Sequence, residues 1–366
     1  MTAPLCRWGI LGTANIARKN WQAIHNSGNG ALLAVASRST DRARQYIGEC
    51  QQQVPFTPPP AACTYEELLA RTDIDAVYIP LPTGIRKEWV LRAAAAGKHI
   101  LCEKPCAIHA ADLTEMLAAC RKHNVQFMDG VMFMHSKRLD LLRETLNDQH
   151  SIGPIKRITS QFSFLGQEEF LNNNIRVSSN LEPLGALGDL GWYNIRFTLW
   201  ALNYLLPERV SGRILSAAKR ADSSETVPIE FSGEMLFPGG ISAGFYCSFL
   251  TQNQQWASIS GTKGFLHVPD FVLPFYGCES EFTVTHAQFE VQGCQFHMED
   301  HSRRVAVREF ASNAPNSQET NLFRNFATLA LAGRPNNHWG EIALKTQQVL
   351  DALLQSSRAD GKLVSL

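Results

Sequence analysis

Short apolar runs alternate with helix-like segments through residues 1–130 of the chain. Runs without a polar face are typical of parallel strands that are covered on both sides. Because each run is followed by a segment with helical character, the pattern predicts an α/β fold with a doubly wound parallel sheet. The predicted strands are Cys6–Leu11, Ala31–Ala36, Ala76–Leu81, His99–Cys102 and Val125–Val131.

Two connections in this region have their own local signals. Residues 51–62 contain four prolines, so we expect a surface connection that cannot be helical. Thr64 is expected to act as the N-cap of a short helix that begins at Tyr65.

The pattern changes after residue 131. Strand-like runs now follow one another, and several alternate apolar and polar positions, which is typical of an antiparallel sheet with one covered face. We expect an α+β domain over residues 131–366, built on a large, mostly antiparallel open sheet. Its last two helices, over 320–332 and 342–357, are expected to pack back on the first domain. The runs lie at 155–164, 226–236, 241–250, 256–260 and 265–268, with turns at 238–240 and 261–264.

Composition excludes several classes of protein. The 366 residues are 45% hydrophobic and carry 34 basic and 34 acidic side chains, so no net field attracts nucleic acid or an anionic membrane. No apolar run approaches the roughly 18 residues of a membrane span, and the start of the chain lacks a secretory signal, so we expect a cytoplasmic protein. The nine cysteines show no Cys-x-x-Cys spacing, and we expect reduced thiols and no metal site.

The first strand ends in a glycine-containing turn that is typical of dinucleotide binding. Gly12-x-Ala14-x-x-Ala17 follows a strand and opens a helix, where free backbone N–H groups can bind a pyrophosphate. An ordinary turn between a strand and a helix would explain the same residues. The first reading predicts a Rossmann domain, with cofactor contacts from Gly12, Thr13, Ala14, Asn15 and Ile16.

The end of the second strand indicates which dinucleotide is bound. An acidic residue at this position binds the ribose hydroxyls of NAD, whereas Ser37, Arg38 and Ser39 offer hydroxyls and a cation to a 2′-phosphate. Arg42 follows one turn later. These residues predict NADP rather than NAD, although a solvated arginine on a loop is the alternative.

Two further groups of polar residues are candidates for catalysis. Glu103-Lys104-Pro105 ends a buried strand at the ligand edge of the sheet, where the alternative is a solvated charged turn. Asp189 and Tyr193 are four residues apart at a glycine-rich helix entry, so they would share a helix face. A helix-start carboxylate and a core tyrosine would explain the same two residues.

Taken together, these segments resemble the glucose-fructose oxidoreductase / inositol dehydrogenase / MocA (Gfo/Idh/MocA) family. The similarity extends over nearly the full length. It rests on residues 8–17, residues 94–105 with Glu-Lys-Pro, residues 184–193 with Asp-x-x-x-Tyr, the Gly261–Gly264 turn, and short segments at 323–326 and 343–347.

The resemblance implies an oxidoreductase that transfers a hydride between a nicotinamide and a carbinol or carbonyl carbon of a sugar, polyol or related cyclic substrate. With the residues at the end of the second strand, the expected enzyme is an NADP-dependent oxidoreductase. It implies catalytic roles for Lys104, Asp189 and Tyr193, with Leu81, Pro82, Glu103 and Lys104 near the cofactor. Lys104 would lower the pKa of Tyr193, the acid/base, and Asp189 would orient the substrate hydroxyl or the tyrosine. A homo-oligomer, dimer or tetramer, through the C-terminal sheet is also expected.

The chain departs from the family pattern in two places. Thr83 and Arg86 stand where many members have Asn and His, and Val131–His135 lacks a Trp-Arg pair that often follows Asp-Gly. A second class of function is a non-catalytic NADP-binding sensor that regulates a partner protein. Regulators that resemble the family lose the catalytic lysine, and Lys104 is present here.

Overall fold

The computed structural model describes residues 4–366. Residues 1–3 lie outside the described residues. They belong to the predicted first domain and to the start of the chain, where no secretory signal was found in the sequence. Strands β1 to β6 are Cys6–Leu11, Gly30–Ala36, Ala61–Cys63, Ala76–Ile79, His99–Cys102 and Phe127–Asp129. Helices α1 to α5 are Asn15–Asn26, Thr40–Gln53, Tyr65–Ala70, Thr83–Ala95 and Ala110–Lys122.

The first six strands form one parallel sheet in the order β3-β2-β1-β4-β5-β6. This is the Rossmann order, in which the strand sequence reverses between β1 and β4 and opens a crevice at the carboxyl edge. In the register of this edge, Ile79 lies opposite Cys102, and Cys102 lies opposite Asp129. The predicted doubly wound parallel sheet is confirmed.

One local prediction in this sheet was wrong. The connection over 51–62 was expected to contain no helix, but α2 continues to Gln53 and β3 begins at Ala61. The first proline of the segment is Pro55, so nothing prevents the residues before it from completing the helix. The short helix α3 begins at Tyr65 as expected, with Thr64 as its N-cap.

The remaining strands form a second, nine-stranded sheet. Strands β7 to β15 are Ile155–Leu165, Arg209–Ala218, Val227–Phe237, Ile241–Ser248, Leu250–Gly261, Phe265–Val268, Glu279–Gln292, Gln295–Arg308 and Val364–Ser365. Helices α6 to α10 are Arg138–Asn147, Glu168–Asn173, Trp192–Ala201, Gln318–Ala330 and His338–Arg358.

The sheet order is β14-β13-β12-β11-β7-β10-β9-β8-β15, and every pair is antiparallel except β7 with β10. The predicted open, mostly antiparallel sheet is therefore confirmed. Both predicted turns, Pro238–Gly240 and Gly261–Gly264, join antiparallel neighbours.

Three long strands were missed by the sequence pattern. Strand β8 has an irregular exposure pattern, and β13 and β14 form a long hairpin whose outer half is exposed on both faces. Phe289, Phe296 and Met298 on this outer half are 61%, 67% and 68% exposed. A ribbon without a covered face lacks the alternation that marks a half-buried strand, so periodicity could not identify it.

Helix α9 closes the core on one face of the parallel sheet. The ring centroids of Phe323 and Phe326 lie 5.2 Å and 5.0 Å from that of Trp8 in β1. Both phenylalanines are fully buried, which contributes roughly 1.5–3 kcal/mol each to folding. No helix among residues 4–366 is long and apolar enough to cross a membrane.

A buried ion pair joins the end of β6 to α8. Arg196 Nη2 lies 2.7 Å from Asp129 Oδ2, and both side chains are completely buried. Arg196 Nε also donates to Thr346 Oγ1 of α10 at 2.8 Å. The pair therefore connects the parallel sheet with two helices of the C-terminal half.

We expect Arg196→Met to reduce the free energy of unfolding by about 3–5 kcal/mol, because it leaves the Asp129 carboxylate buried without its partner. Urea denaturation followed by circular dichroism measures the change. Adding Asp129→Asn to the same chain should recover much of the loss, since the unpaired charge is then removed. A single variant within about 1 kcal/mol of the wild type would contradict this role of the pair.

Candidate active site

The turn between β1 and α1 leaves a helix N-terminus uncapped. Gly12 has φ +124°, and a Cβ there would lie 3.1 Å from Leu81 Cδ2. Ala14, the N-cap residue, has no side chain that could cap the helix, and the first turn contains no acidic residue. The free N–H groups of this turn therefore fit an anion such as a pyrophosphate. The predicted contacts brought together here are Gly12, Thr13, Ala14, Asn15 and Ile16.

The residues predicted to bind a 2′-phosphate lie at the next strand end. Ser37 is buried there, whereas Arg38, Ser39 and Arg42 are exposed. Burial raises the pKa of Tyr65, and both arginines oppose that rise, which places the two cations near the same ring.

Neither of these arginines has an ion-pair partner within residues 4–366. Asp41 lies in the first turn of α2 together with Arg42, but it pairs with Arg44 at 2.5 Å. Arg38 and Arg42 therefore leave two cations available at the end of β2.

The other helices on this edge have protein groups at their N-termini. The Thr64 side chain caps α3. Glu182 accepts from the backbone N–H of Thr83 at 3.0 Å, in the first turn of α4, and Asp351 accepts from Ala110 N–H of α5 at 2.7 Å. By contrast, within residues 4–366 no side chain accepts a hydrogen bond from the first-turn N–H groups of α1 or α2. The two uncapped helices are the two that follow the predicted phosphate-binding residues.

Arg86 connects the ends of β4 and β5. Its buried guanidinium donates from Nε to the carbonyl of Leu81 at 2.9 Å and from Nη1 to the carbonyl of Pro105. Thr83 Oγ1 donates to Glu182 Oε2 at 2.6 Å. Thr83 and Arg86, which depart from the family pattern, thus hold neighbouring loops together, and Pro82 is partly exposed.

Glu103 lies behind this edge. Its buried carboxylate accepts from the hydroxyl of Tyr78 at 2.5 Å, and that hydroxyl accepts from Asn20 at 2.6 Å. Burial raises the pKa of Tyr78 well above its usual value, and the Glu103 charge adds to the rise. The tyrosine therefore remains a proton donor to the carboxylate.

The three residues predicted to be catalytic lie together. Lys104 Nζ donates to both the side-chain Oδ1 and the backbone carbonyl of Asp189, each at 2.7 Å. The same ammonium stands 4.8 Å from the centroid of the Tyr193 ring. The cluster connects the end of β5 with the helix entry before α8.

Asp189 lies on a single π-helical turn, Leu187–Gly191, directly before α8. Such turns are frequent at functional sites because they displace a side chain from its regular position. A Cβ on Gly188 would lie 2.6 Å from Leu184 Cβ and 3.2 Å from Pro105 Cγ. The glycine is therefore what allows this turn to approach the Glu-Lys-Pro loop.

The electrostatics of the cluster differ from the expectation for Tyr193. Burial would raise the pKa of Asp189, but the charges of Arg176 and Lys104 lower it to about 2. Burial raises the pKa of Tyr193 well above its usual value, and Glu103 and Asp189 add to the rise.

The expectation that Lys104 lowers the pKa of Tyr193 is therefore wrong. Asp189 compensates the lysine charge, and the ammonium faces the aromatic ring rather than the hydroxyl. The Tyr193 hydroxyl instead donates to Met132 Sδ at 3.6 Å.

Sequence reasoning missed Arg176. Its Nε donates to Asp189 Oδ2 at 2.7 Å, so the carboxylate is shared by two cations. Arg176 lies in the 3₁₀ turn Ile175–Val177, within an irregular connection that has no apolar periodicity. No motif marks the residue, and only the tertiary contact reveals it.

Comparison with known proteins identifies both halves of the chain. A model described as the oxidoreductase family with an NAD-binding Rossmann fold matches residues 6–131. A second, the GFO/IDH/MocA C-terminal domain, matches residues 142–267.

Several characterised proteins are similar over most of their length. The trans-1,2-dihydrobenzene-1,2-diol dehydrogenase of Mus musculus is 30% identical over 272 residues, 73% of this chain and 76% of that protein. A dTDP-3,4-didehydro-2,6-dideoxy-alpha-D-glucose 3-reductase of Saccharopolyspora spinosa is 31% identical over 263 residues, 70% and 73% of the two chains.

The crystal structure of KijD10, a 3-ketoreductase from Actinomadura kijaniata in complex with NADP and TDP-benzene, superposes with a TM-score of 0.80. It is 25% identical, and the match covers 97% of this chain and 98% of that one. The family models, the relatives and the fold agree, and the chain therefore belongs to the Gfo/Idh/MocA family of NAD(P)-dependent oxidoreductases.

Proposed function

We propose that this protein uses NADP to transfer a hydride to or from a carbinol or carbonyl carbon of a sugar, polyol or related cyclic substrate. One observation carries the proposal: Lys104, Asp189 and Tyr193 meet at the carboxyl edge of the parallel sheet, with Lys104 Nζ 2.7 Å from Asp189 Oδ1. The similarity to a sugar-nucleotide reductase and to a diol dehydrogenase supports this substrate class.

NADP is the proposed cofactor because donors and cations lie where its pyrophosphate and its 2′-phosphate are expected to bind. Gly12, Thr13, Ala14, Asn15 and Ile16 would hold the pyrophosphate at the uncapped α1 N-terminus. Ser37, Arg38, Ser39 and Arg42 would hold the 2′-phosphate, since the two arginines have no carboxylate partner within residues 4–366. Leu81 and Pro82 would line the approach toward the nicotinamide, and Glu103 would support this edge from behind.

The bound cofactor would supply or accept the hydride, and the side chains would manage the proton and the charge at oxygen. Tyr193, protonated at neutral pH because burial raises its pKa, would donate a proton to the substrate oxygen during reduction. Lys104 would stabilise negative charge developing on that oxygen. Asp189 would hold the ammonium in place, so it acts on the lysine rather than on the tyrosine.

We expect Lys104→Ala and Tyr193→Phe each to lower turnover by about 10²- to 10⁴-fold, the usual contribution of a general acid or base. A panel of aldoses, ketoses and dihydrodiols, read by NADPH absorbance, supplies the assay. Phe162, whose ring packs 5.6 Å from that of Tyr193, offers a matched control as Phe162→Leu. Near-normal turnover in either test variant, with the fold intact, would overturn the assignment.

The raised pKa of Tyr193 sets the direction of the pH dependence. In reduction the phenol must carry its proton, so we expect no decline in rate from loss of this proton between about pH 7 and about pH 9. In oxidation the side chain must be deprotonated to the phenolate in order to accept the substrate proton, so that rate should rise with pH over the same interval. Steady-state rates in both directions test this, and a reductive rate that halves near neutral pH would count against it.

Arg38→Ala should weaken NADPH binding by about 10- to 100-fold, because hydrogen bonds between charged groups are the strong ones, and leave NADH binding unchanged. Titration of nicotinamide fluorescence measures both dissociation constants. Arg44→Ala is the matched control, since Arg44 lies nearby on α2 but pairs with Asp41. An equal loss of affinity for NADPH and NADH would show that Arg38 does not bind the 2′-phosphate.

A further inference from the structure

Arg176 lies on the open side of the Lys104–Asp189 pair. Its turn is held by Asn174, whose Oδ1 accepts from the Arg176 backbone N–H at 3.0 Å. From there the side chain reaches Asp189, where Nε donates to Oδ2 at 2.7 Å. The guanidinium is therefore fixed at one end by a residue of the proposed catalytic cluster.

The other end of the guanidinium is free. A guanidinium has donors on Nε and on both terminal nitrogens, yet within residues 4–366 only Nε of Arg176 forms a hydrogen bond. The Arg176 side chain is 42% exposed, compared with 10% for Lys104 and 15% for Asp189. Of the three charged side chains, Arg176 is therefore the one most accessible to a ligand.

Two cations and one carboxylate meet in direct contact at the Lys104–Asp189–Arg176 group. Lys104 and Arg176 share the single carboxylate of Asp189. Glu182 is near enough to raise the pKa of Arg176, together with the larger effect of Asp189. However, both oxygens of Glu182 already accept hydrogen bonds from Thr83, so this carboxylate does not cover the free nitrogens.

We propose that the two terminal nitrogens of Arg176 bind an anionic group of the substrate, a carboxylate or a phosphate, close to the carbon that reacts. The planar fork of a guanidinium matches either anion with two parallel hydrogen bonds. This inference rests on the proposed function, because it places the reacting oxygen beside Lys104 and Tyr193. One carboxylate separates Lys104 from Arg176, so both ends of a small sugar acid or sugar phosphate can be reached.

The experiment compares ligands that differ in charge. Calorimetric titration of the protein saturated with NADPH would use D-glucose, D-glucuronate and D-glucose 6-phosphate, with inorganic phosphate and acetate as separate probes. We expect at least one acid to bind about 10- to 100-fold more tightly than D-glucose, as charge-assisted hydrogen bonds suggest. Tighter binding of the glucuronate identifies a carboxylate, and tighter binding of the sugar phosphate identifies a phosphate. Binding of neither acid, or equal binding of acid and neutral sugar, overturns the inference.

Three variants test whether Arg176 is responsible. Arg176→Met should abolish the preference for the acid, so that the acid and D-glucose bind with similar affinity, and Arg176→Lys should retain part of the preference. Arg213→Met is the control, because Arg213 is 61% exposed and its nearest carboxylate oxygen is 3.9 Å away. An equal loss for acid and neutral ligand would show that Arg176 only positions Asp189, and would refute the inference.

The two proposals fail in different ways. An acid that binds through Arg176 but never changes NADPH absorbance, in either direction of reaction, would contradict the proposed oxidoreductase function alone. Turnover of neutral sugars without any preference for acids would contradict the role of Arg176 alone.

Discussion

The buried ion pair between Asp129 and Arg196 determines how the two halves of the molecule meet. Asp129 ends β6 and lies opposite Cys102, the residue that precedes the Glu103–Lys104 turn. Arg196 lies three residues beyond Tyr193 on α8. Because the two charges have no access to solvent, the helix can neither slide nor rotate without exposing one of them to an apolar surrounding. The distance between Lys104 and Tyr193 therefore depends on the Asp129–Arg196 ion pair, although neither Lys104 nor Tyr193 is part of that pair.

At the same edge of the sheet, the protein's own side chains determine which helix N-termini can bind an anion. All five helices that follow β1 to β5 direct an N-terminus toward this edge, so each has N–H groups in need of a partner. At α3, α4 and α5 a side chain supplies that partner, and at α4 it comes from Glu182 in the C-terminal half. Carboxylates and a hydroxyl of the protein accept hydrogen bonds at the N-termini of α3, α4 and α5. The N-termini of α1 and α2 have no such acceptor within residues 4–366, and they can therefore bind an anion.

The sequence predicted the parts of the structure that depend on short-range pattern. The strands of the parallel sheet are buried on both faces and are visible as apolar runs, and Thr64 with Tyr65 is a local capping signal. Lys104, Asp189 and Tyr193 could be named because residues 94–105 and 184–193 resemble family motifs. Arg176 could not, because it reaches Asp189 from an irregular segment whose position is set only by tertiary contacts.

The pKa of Tyr193 shows a second limit of sequence reasoning. A lysine near a phenol suggests a lowered pKa, but the sign depends on burial and on every other charge nearby. Here Asp189 compensates Lys104, while burial and the charge of Glu103 raise the pKa of the phenol. The sequence alone shows neither how deeply Tyr193 is buried nor where the Lys104 ammonium lies relative to its ring.

The position of α9 has a consequence for how the protein is made. Trp8 and its neighbours on β1 are covered by Phe323 and Phe326, which come from near the end of the chain. Because synthesis proceeds from the N-terminus, the part of this face that α9 covers stays open until residues 318–330 have left the ribosome. The nascent Rossmann domain must therefore keep this apolar patch open while the C-terminal half of the chain is translated, a period in which binding by a chaperone would protect it.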